Sequence, residues 1–364
     1  MPLASLTPEK LTSSDGPLRL VISAKLKPVA DLDRFQPAGF PEVGHVIYRA
    51  PRADGTYESV CIVDSPASMA NHLESVCMRG PHDLDLVKEL TGMPYLRCVT
   101  DAGWPDVDTS KPKTVVVTSL TEGHRIASTY FLGGKRLDGG APVATAFEEE
   151  LREACGVLKL GKKKAHPQPD AWWTVFSTLF RYDPNALVHG VLFPQWQVKI
   201  PRALSAHMEA LGAARVDRAG VKFDRLGKTT SGQPIFAVDE EVAQEIKATF
   251  VLDLALIRSL GRDGLGLSDE RKRLLVGLAL WKVGRLLRGP FRFRSGCDLE
   301  CASIAVDGQE ASVDDLKINI GTLIEAAHFE QPAITDIYWP ASDLYREGDN
   351  EEAGSEGDTD EDGE

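Results

Sequence analysis

The sequence lacks the segments by which membrane and secreted proteins are recognised. In 364 residues, no run approaches the ~20 consecutive apolar residues that a membrane span needs. The first residues, MPLASLTPEKLTSSDG, contain no apolar stretch of the kind found in secretory signals. We therefore expect a cytoplasmic protein with no membrane partner.

Complete catalytic and nucleotide-binding motifs are also absent. The segment LGKTTSG contains GKT, but Lys222 stands where a phosphate-binding loop needs its first glycine. The sequence has no GxGxxG after a strand, no HExxH and no GxSxG. The acidic pairs at 83–85 and 106–108 could bind a hard cation, but acids of surface turns are far more common in such short motifs. We therefore predict no catalytic residue, no metal site and no cofactor.

Cysteines are few and show no metal-binding spacing. None of the six forms a CxxC pair. The closest two, Cys297 and Cys301, have no second Cys or His pair at the spacing of zinc ligands. In a chain of this size we interpret the cysteines as small core residues in a reducing compartment.

The formal net charge of −13 comes mostly from the C-terminal end. The last eighteen residues, 347–364, contain ten acidic side chains and no Lys or Arg, so the rest of the chain is close to neutral at −3. A run of like charges with almost nothing apolar to bury predicts a disordered tail. Two interpretations stay open: the tail solubilises the protein, or it competes with nucleic acid for a basic groove.

Periodicity predicts strands and helices in irregular alternation. Alternating patterns predict strands at 18–30, 113–120 and 291–295, strands around VDRAGVKF and QPIFAV, and a hairpin of HVIYRA and YESVCIVD. Helical spacing predicts helices in TEGHRIASTYFL, in ALSAHMEALGAA and at 269–288. Three more helices have predicted caps. One begins after Asp64 or Ser65, one begins at Thr145 with Glu148 in a capping box, and one covers 313–328 with Ser312 and Asp315 as caps. The fold class is therefore α+β rather than a parallel doubly wound sheet.

We expect one elaborated domain with short flanking segments. An N-terminal extension covers 1–17 and the domain covers 18–346, followed by the tail at 347–364. Prolines and glycines interrupt 79–112, which we interpret as an insertion, and a second insertion is expected near 156–190.

The most informative feature is a basic segment between Arg258 and Arg294. It has ten cations against three acids. Lys282, Arg285 and Arg288 recur every three residues and should lie along one side of a helix. On a strand, Arg292 and Arg294 should point to one face, with Phe291 and Phe293 on the other. Such a row suits a phosphate backbone, although a solvated helix face paired with distant acids is the alternative.

A second candidate is His124 with Arg125, directly after a predicted strand. At the start of a helix, free backbone N–H groups and the Arg125 guanidinium could hold a phosphate. An ion pair of Arg125 with Glu122 or with a distant acid is the alternative.

Five segments, taken in order, resemble one known family. They are FPEVGHVIYR, DSPASMANHLE, SLTEGHRIASTYF, VHGVLF and RLLRGPFRFRSGCDLE. The chain resembles the backbone subunit of the type I-G (formerly I-U) CRISPR Cascade effector complex, of the Cas-seven class in the RAMP superfamily. The resemblance covers about residues 18–330. It departs from the family pattern at the acidic tail, and at Phe291 and Phe293, where aliphatic residues are expected.

The resemblance implies both a fold and a set of partners. The fold would be an RNA-recognition-motif-like (ferredoxin-like) antiparallel sheet with insertions that form a hand-like palm, fingers and thumb. Several copies would line one CRISPR RNA as a helical filament and present guide bases to the target DNA strand. Other Cascade subunits would join the complex, and a recruited helicase–nuclease would cut the DNA, so this subunit would not be an enzyme.

The resemblance also carries candidate RNA contacts to this chain by position: Ser68, Asn71, His72, His124, Arg125, Arg285, Arg288, Arg292 and Arg294. The implied thumb is assigned first to 79–112 and second to the stretch LKLGKKKAHPQP.

Two other functions are consistent with the residues. An RNA endonuclease of the same superfamily would process or cut RNA, with Asp106 or Asp108 at a metal or His124 as a metal-independent base. A general single-strand binder would need aromatic stacking platforms. Few of the seven Tyr and six Trp lie among the basic runs.

Overall fold

The computed structural model describes residues 6–40, 44–108, 110–158, 166–216 and 240–345. The predicted acidic tail lies outside these residues. So do most of the two strands predicted around VDRAGVKF and QPIFAV, and most of LKLGKKKAHPQP.

In the described part of the chain, two sheets contain thirteen of the strands. In chain order these are β1 (Arg19–Pro28), β2 (Ile47–Pro51), β3 (Tyr57–Asp64), β4 (Tyr95–Thr100), β5 (Thr114–Thr118), β6 (Lys135–Asp138), β7 (Ala141–Pro142), β8 (Leu204–Leu211), β9 (Glu245–Asp253), β10 (Phe291–Arg294), β11 (Cys297–Val306), β12 (Gln309–Ala311) and β13 (Ile334–Tyr338).

Within the described residues, short strands outside the two sheets form six small ribbons. One ribbon has three strands, Ala214–Val216, Glu240–Val242 and Arg34–Phe35. The others pair Gly39–Phe40 with Gly44–His45, Met78–Gly80 with Asp83–Leu86, Val157–Leu158 with His166–Pro167, Val191–Phe193 with Val198–Ile200, and Gly261–Arg262 with Leu265–Gly266.

The larger sheet has eight strands in the order β10-β11-β1-β9-β8-β3-β2, and β12 also pairs with β11. Each of these pairings is antiparallel. Alternate residues of the central strands are buried, for example Leu20, Ile22 and Ala24 in β1 and Ile246, Ala248 and Phe250 in β9. One face is therefore apolar and covered, while the other is less buried and carries mostly polar and charged residues.

Helices cover the apolar face. The helices are α1 (Pro8–Thr12), α2 (Pro66–Ser75), α3 (Thr129–Leu132), α4 (Phe147–Ala154), α5 (Trp172–Tyr182), α6 (Pro184–His189), α7 (Leu254–Ser259), α8 (Asp269–Leu287), α9 (Ile320–Ala327) and α10 (Ala341–Leu344). Single 3-10 turns lie at Val29–Asp31, Lys88–Leu90, Arg125–Ala127, Pro194–Trp196 and Val313–Leu316. Helix α8 packs against α2, α6, α7 and β9, so it is buried nearly all round. The predicted α+β class is confirmed.

The second sheet has five strands in the order β5-β4-β13-β6-β7. Strands β4 and β13 run parallel, although they are far apart in the sequence. Arg97 on β4 donates two hydrogen bonds to the Asp336 carboxylate on β13, at 2.7 and 2.9 Å. The predicted insertion at 79–112 contains one small ribbon, a 3-10 turn and β4.

Most predicted elements agree with the structure, including β1, the β2–β3 hairpin, α2 and α8. The helix predicted in ALSAHMEALGAA is wrong. Residues Leu204–Leu211 form β8, with every second residue buried. Ala, Leu, Met and Glu favour helices as isolated residues, but pairing with β9 on one side and β3 on the other outweighs that preference.

Three predicted helix boundaries are also corrected. Helix α4 starts at Phe147 after Ala146, without the capping box of Thr145 and Glu148. TEGHRIASTYFL forms a 3-10 turn followed by the short α3. The region 313–328 divides into a 3-10 turn and α9, although Ser312 and Asp315 do form the predicted capping box.

Five of the six cysteines are buried, as expected of small core residues, and Cys301 is partly exposed. Among the described residues, no helix combines the length and apolar character needed to cross a membrane.

Candidate nucleic-acid interface

Helix α2 is the element around which the predicted RNA contacts gather. The Ser65 hydroxyl caps it by accepting a hydrogen bond from the Ser68 amide at 3.2 Å, and Pro66 occupies its first turn. Its apolar stripe of Met69, Ala70 and Leu73 is buried. Ser68 and His72 are partly exposed on the remaining surface, and Asn71 is exposed.

Three predicted residues meet at the buried carboxylate of Asp64, at the end of β3. His72 Nε2 lies 3.2 Å from Asp64 Oδ2 and 3.4 Å from the Ser68 hydroxyl. Arg294 donates to Asp64 Oδ1 at 2.8 Å and to the Val63 carbonyl at 2.7 Å. Burial works to raise the pKa of Asp64, but the contacts with His72 and Arg294 outweigh burial and hold it below its ordinary value. Arg294 therefore neutralises a buried acid.

The strand β10 does not present the expected row of two arginines. Phe291 and Phe293 both pack against the His72 ring, with ring centroids 5.3 and 5.0 Å away. Both phenylalanines thus lie on one side of the strand, as predicted, although the pairing of β10 with β11 shifts register between Arg292 and Arg294. Arg292 stays 71% exposed and pairs with Asp298 at 2.8 Å, while Arg294 reaches Asp64.

Helix α8 contacts α2, and its C-terminal end carries two more cations. Arg285 is partly exposed, pairs with Glu89 at 3.1 Å and lies over the Trp281 ring. Arg288 is exposed, and within the described residues no hydrogen bond or ion pair engages it. Lys282, predicted on the same side of α8, is fully buried. Because an α-helix has 3.6 residues per turn, residues spaced by three do not stay on one side of it. The series Lys282, Arg285 and Arg288 therefore goes from the core to the surface.

His124 and Arg125 occupy opposite environments. His124 is 84% exposed, with Glu122 at 3.3 Å. Arg125 is only 5% exposed. Its guanidinium donates to both oxygens of Glu74, at 2.7 and 2.8 Å, and to the Gly190 carbonyl. The distant acid of the alternative interpretation is therefore Glu74, and the side chain of Arg125 is not accessible to a ligand in this structure.

The residues proposed for metal-dependent RNA cleavage lie elsewhere, in the loop after β4. The Asp108 carboxylate accepts hydrogen bonds from the Ser110 amide and hydroxyl at 3.1 and 2.6 Å, and Lys111 lies 3.3 Å away. In the described part of the chain, no group of three or more His, Cys, Asp or Glu side chains is arranged to hold a metal ion. The turn itself accounts for Asp108.

Residues behind α2 were missed by sequence reasoning. Glu74, Asn185 and Lys282 are buried polar side chains joined by hydrogen bonds. Glu74 falls within the apolar stripe of α2, one position after Leu73, and that placement is the signal that could have revealed a buried partner. The partners themselves come from distant segments and leave no local pattern.

The surface around α2 therefore combines exposed cations and small hydrogen-bonding groups. Arg288 and Arg292 offer forked donors, which match phosphate oxygens. Asn71 and Ser68 offer neutral donors and acceptors suited to ribose and phosphate. We define the α2 surface as Ser68, Asn71, His72, Arg285, Arg288 and Arg292.

Comparison with known proteins gives one family. The model of the family described as CRISPR-associated protein GSU0053 matches residues 20–215, which is more than half of the chain. This range includes α2 and Arg125 but ends before α8 and β10. No curated protein matches the chain.

Proposed function

The chain belongs to the GSU0053 family of CRISPR-associated proteins, and on that premise we propose that it is a non-catalytic, RNA-binding backbone subunit of a CRISPR interference complex. In this proposal the α2 surface holds the phosphate backbone of the CRISPR RNA. Since the guide sequence changes with every spacer, the protein has to bind phosphate and ribose and leave the base edges free for the target DNA strand.

The observation that carries the proposal is the meeting of α2 with two distant segments, α8 and β10. Asn71 lies on α2 itself, Arg288 at the end of α8 and Arg292 on β10, and all three side chains are exposed. Contacts between α2 and α8, and between His72 and the phenylalanines of β10, bring these elements together. Exposed arginines beside small polar groups are the arrangement that a single-stranded phosphate backbone requires.

The strand order of the large sheet supports an RNA-recognition-motif-like palm. In chain order the four central strands are β1, β8, β9 and β11, and they lie side by side as β11-β1-β9-β8. Helix α2 comes between the first two in the chain and α8 between the last two. This βαββαβ succession is that of a ferredoxin-like unit. We place the thumb in 79–112.

The finer assignment is to a type I-G Cascade complex. There, several copies would form a filament on one CRISPR RNA together with other Cascade subunits. A recruited helicase–nuclease would cut the DNA, and in our proposal this chain takes no part in that cleavage.

The test compares two exposed arginines of the α2 surface with two exposed arginines elsewhere. We expect Arg288→Gln/Arg292→Gln to weaken binding of single-stranded RNA and to lower the salt dependence of log K by about 0.7 for each phosphate that is no longer neutralised. The control Arg19→Gln/Arg262→Gln removes the same charge from the start of β1 and from the ribbon before α8. It should leave the slope unchanged. Fluorescence anisotropy at several salt concentrations measures both.

Arg294 is left out of this variant for a structural reason. Its removal would leave the buried Asp64 carboxylate without its main cation, and any change in RNA binding would then mix with unfolding. If the double variant binds RNA with the slope of the control, the α2 surface is not the RNA site. Cleavage of the labelled RNA by the wild type, with or without Mg²⁺, would favour the endonuclease instead.

A further inference from the structure

Four polar side chains form a continuous buried cluster directly behind the α2 surface. Glu74, Arg125, Asn185 and Lys282 are between 0% and 5% exposed. Charged residues are almost never buried to this degree unless they are paired. We call these four residues the buried cluster.

Hydrogen bonds link the members of the buried cluster in one chain. Arg125 Nε and Nη2 donate to the two Glu74 oxygens at 2.7 and 2.8 Å. Asn185 Nδ2 donates to Glu74 Oε1 at 2.5 Å, and its Oδ1 accepts a short hydrogen bond from Lys282 Nζ. Each polar group thus has a partner: Glu74 accepts from both Arg125 and Asn185, and Asn185 in turn accepts from Lys282.

The buried cluster connects the elements that carry the α2 surface. Glu74 belongs to α2, Arg125 to the turn behind it, Asn185 to α6 and Lys282 to α8. Lys282 lies one turn before Arg285 and less than two turns before Arg288, whereas Glu74 lies three residues after Asn71. Among the described residues, the only hydrogen-bonded link between α2 and α8 therefore passes through Asn185.

Stability alone does not account for such a cluster. Replacing buried charges by apolar residues of similar volume is often neutral or stabilising, because removing charges from water is costly. What a hydrogen-bonded cluster adds is direction, since its bonds fix distances and angles that apolar contacts leave adjustable.

We propose that the buried cluster is a positioning element for the α2 surface, which sets the spacing of α2 and α8 so that Asn71 and Arg288 can engage the same RNA strand. The inference rests on the proposed RNA-binding function. None of the four residues touches RNA in it, so they act through the helices they join.

The test separates positioning from stability. Lys282→Met leaves Asn185 Oδ1 without its donor and should destabilise the protein, because a buried acceptor is then unsatisfied. Asn185→Leu/Lys282→Met removes both partners, while Glu74 keeps its two bonds from Arg125. We expect this double variant to regain most of the thermal stability. RNA affinity should nevertheless stay about tenfold below the wild type, the effect of one missing charged hydrogen bond, with a salt slope lower by about 0.7.

A purely structural role gives a different result. The double variant would then regain wild-type affinity and slope together with stability, and that result would overturn the proposal. Ile337→Ala is the control, since it removes a fully buried side chain in the second sheet and should lower stability without changing affinity per folded molecule.

Two further measurements keep the outcome decisive. If the double variant does not fold, Glu74→Gln preserves shape while weakening the bond to Arg125, and wild-type RNA affinity in folded Glu74→Gln would equally overturn the proposal. If wild-type protein shows no salt-dependent RNA binding, or Arg288→Gln/Arg292→Gln binds as the control does, the proposed function fails. If the wild type and Arg288→Gln/Arg292→Gln behave as expected but the variants of the buried cluster bind RNA like the wild type, only the positioning inference fails.

Discussion

Asp183 is fully buried where α5 meets α6, beside the buried cluster. Burial and the neighbouring Glu74 carboxylate raise its pKa to about 7, while Arg125, Ser119 and Lys282 act in the opposite direction. The ordinary pKa is 3.8. Between these two pH values, Asp183 is therefore mostly protonated in the folded chain and mostly ionised in the unfolded chain.

The sign of the resulting pH dependence follows from that difference. Between about pH 4 and pH 7 the unfolded state binds fewer protons at this group, so Asp183 makes stability fall as pH rises. We expect Asp183→Asn to remove this effect. Relative to the wild type, the free energy of unfolding of the variant should rise by about 3 to 4 kcal/mol across the interval. Urea denaturation at several pH values measures the difference, and parallel profiles for the two proteins would contradict it.

Two arginines illustrate how a cation's role depends on its partner. Arg125 and Arg294 were predicted with the RNA contacts, but each neutralises an acid that is itself buried, Glu74 and Asp64. Arg288 is also a predicted RNA contact, but it is exposed and has no such acidic partner among the described residues. The sequence shows where an arginine lies along the chain, but it does not show which acid the arginine pairs with in the fold.

At the scale of elements, the end of α6 depends on a glycine. Gly190 has φ +81° and ψ 157°, a conformation that is nearly exclusive to glycine. A Cβ there would lie 2.8 Å from the Ile200 carbonyl oxygen, which is backbone and cannot move aside easily. The Gly190 carbonyl also accepts a hydrogen bond from Arg125.

We therefore expect Gly190→Ala to lower the free energy of unfolding by about 2 to 4 kcal/mol, from backbone strain and the close contact together. Gly80→Ala is the matched control. Gly80 has no positive φ, and a Cβ there would meet no atom within 4 Å. Chemical denaturation should show little change for Gly80→Ala, and equal effects of the two substitutions would show that the reasoning about Gly190 is mistaken.

Helix α8 shows how one element serves both fold and site. Ser268 caps its first turn by accepting a hydrogen bond from the Arg271 amide, and Asp269 and Glu270 lie at the positive end of its dipole. Its middle is buried on every side among α2, α6, α7 and α9. Its first turn, with Asp269 and Glu270, and its final turns, with Arg285 and Arg288, reach the surface.

At the scale of the whole molecule, the proposed function requires assembly along RNA. Each added copy would gain contacts with its neighbour as well as with phosphate, so RNA should convert a small species into a multimer whose mass grows in steps with RNA length. Binding should weaken strongly with salt, because counterion release drives the RNA part. Light scattering with RNAs of increasing length measures the mass. A one-to-one complex at every length would contradict the filament.

The variant Arg288→Gln/Arg292→Gln provides the control for assembly. It should require lower salt to form the same multimers, since it removes two of the proposed RNA contacts, both on exposed side chains. Multimers that form without RNA and ignore both salt and this variant would indicate self-association of another origin.

The sequence alone determined the elements in which local pattern and tertiary environment agree. Alternating residues identified β1 and the β2–β3 hairpin, and caps with helical spacing identified α2 and α8. The basic segment pointed to the end of α8, and the family resemblance pointed to α2, as the places where candidate RNA contacts lie, although their role in binding stays a prediction. These are short-range properties, because strand and helix periods are properties of neighbouring residues.

Only the tertiary structure decided what depends on residues far apart in the chain. It made Leu204–Leu211 a strand by pairing it on both sides, and it joined β4 to β13 in parallel. It also separated the cations, burying Lys282 and Arg125 with polar partners and leaving Arg288 and Arg292 exposed. The physical reason is that burial and ion pairing are set by long-range packing, and the free energy of a charge depends on its surroundings more than on its neighbours in sequence.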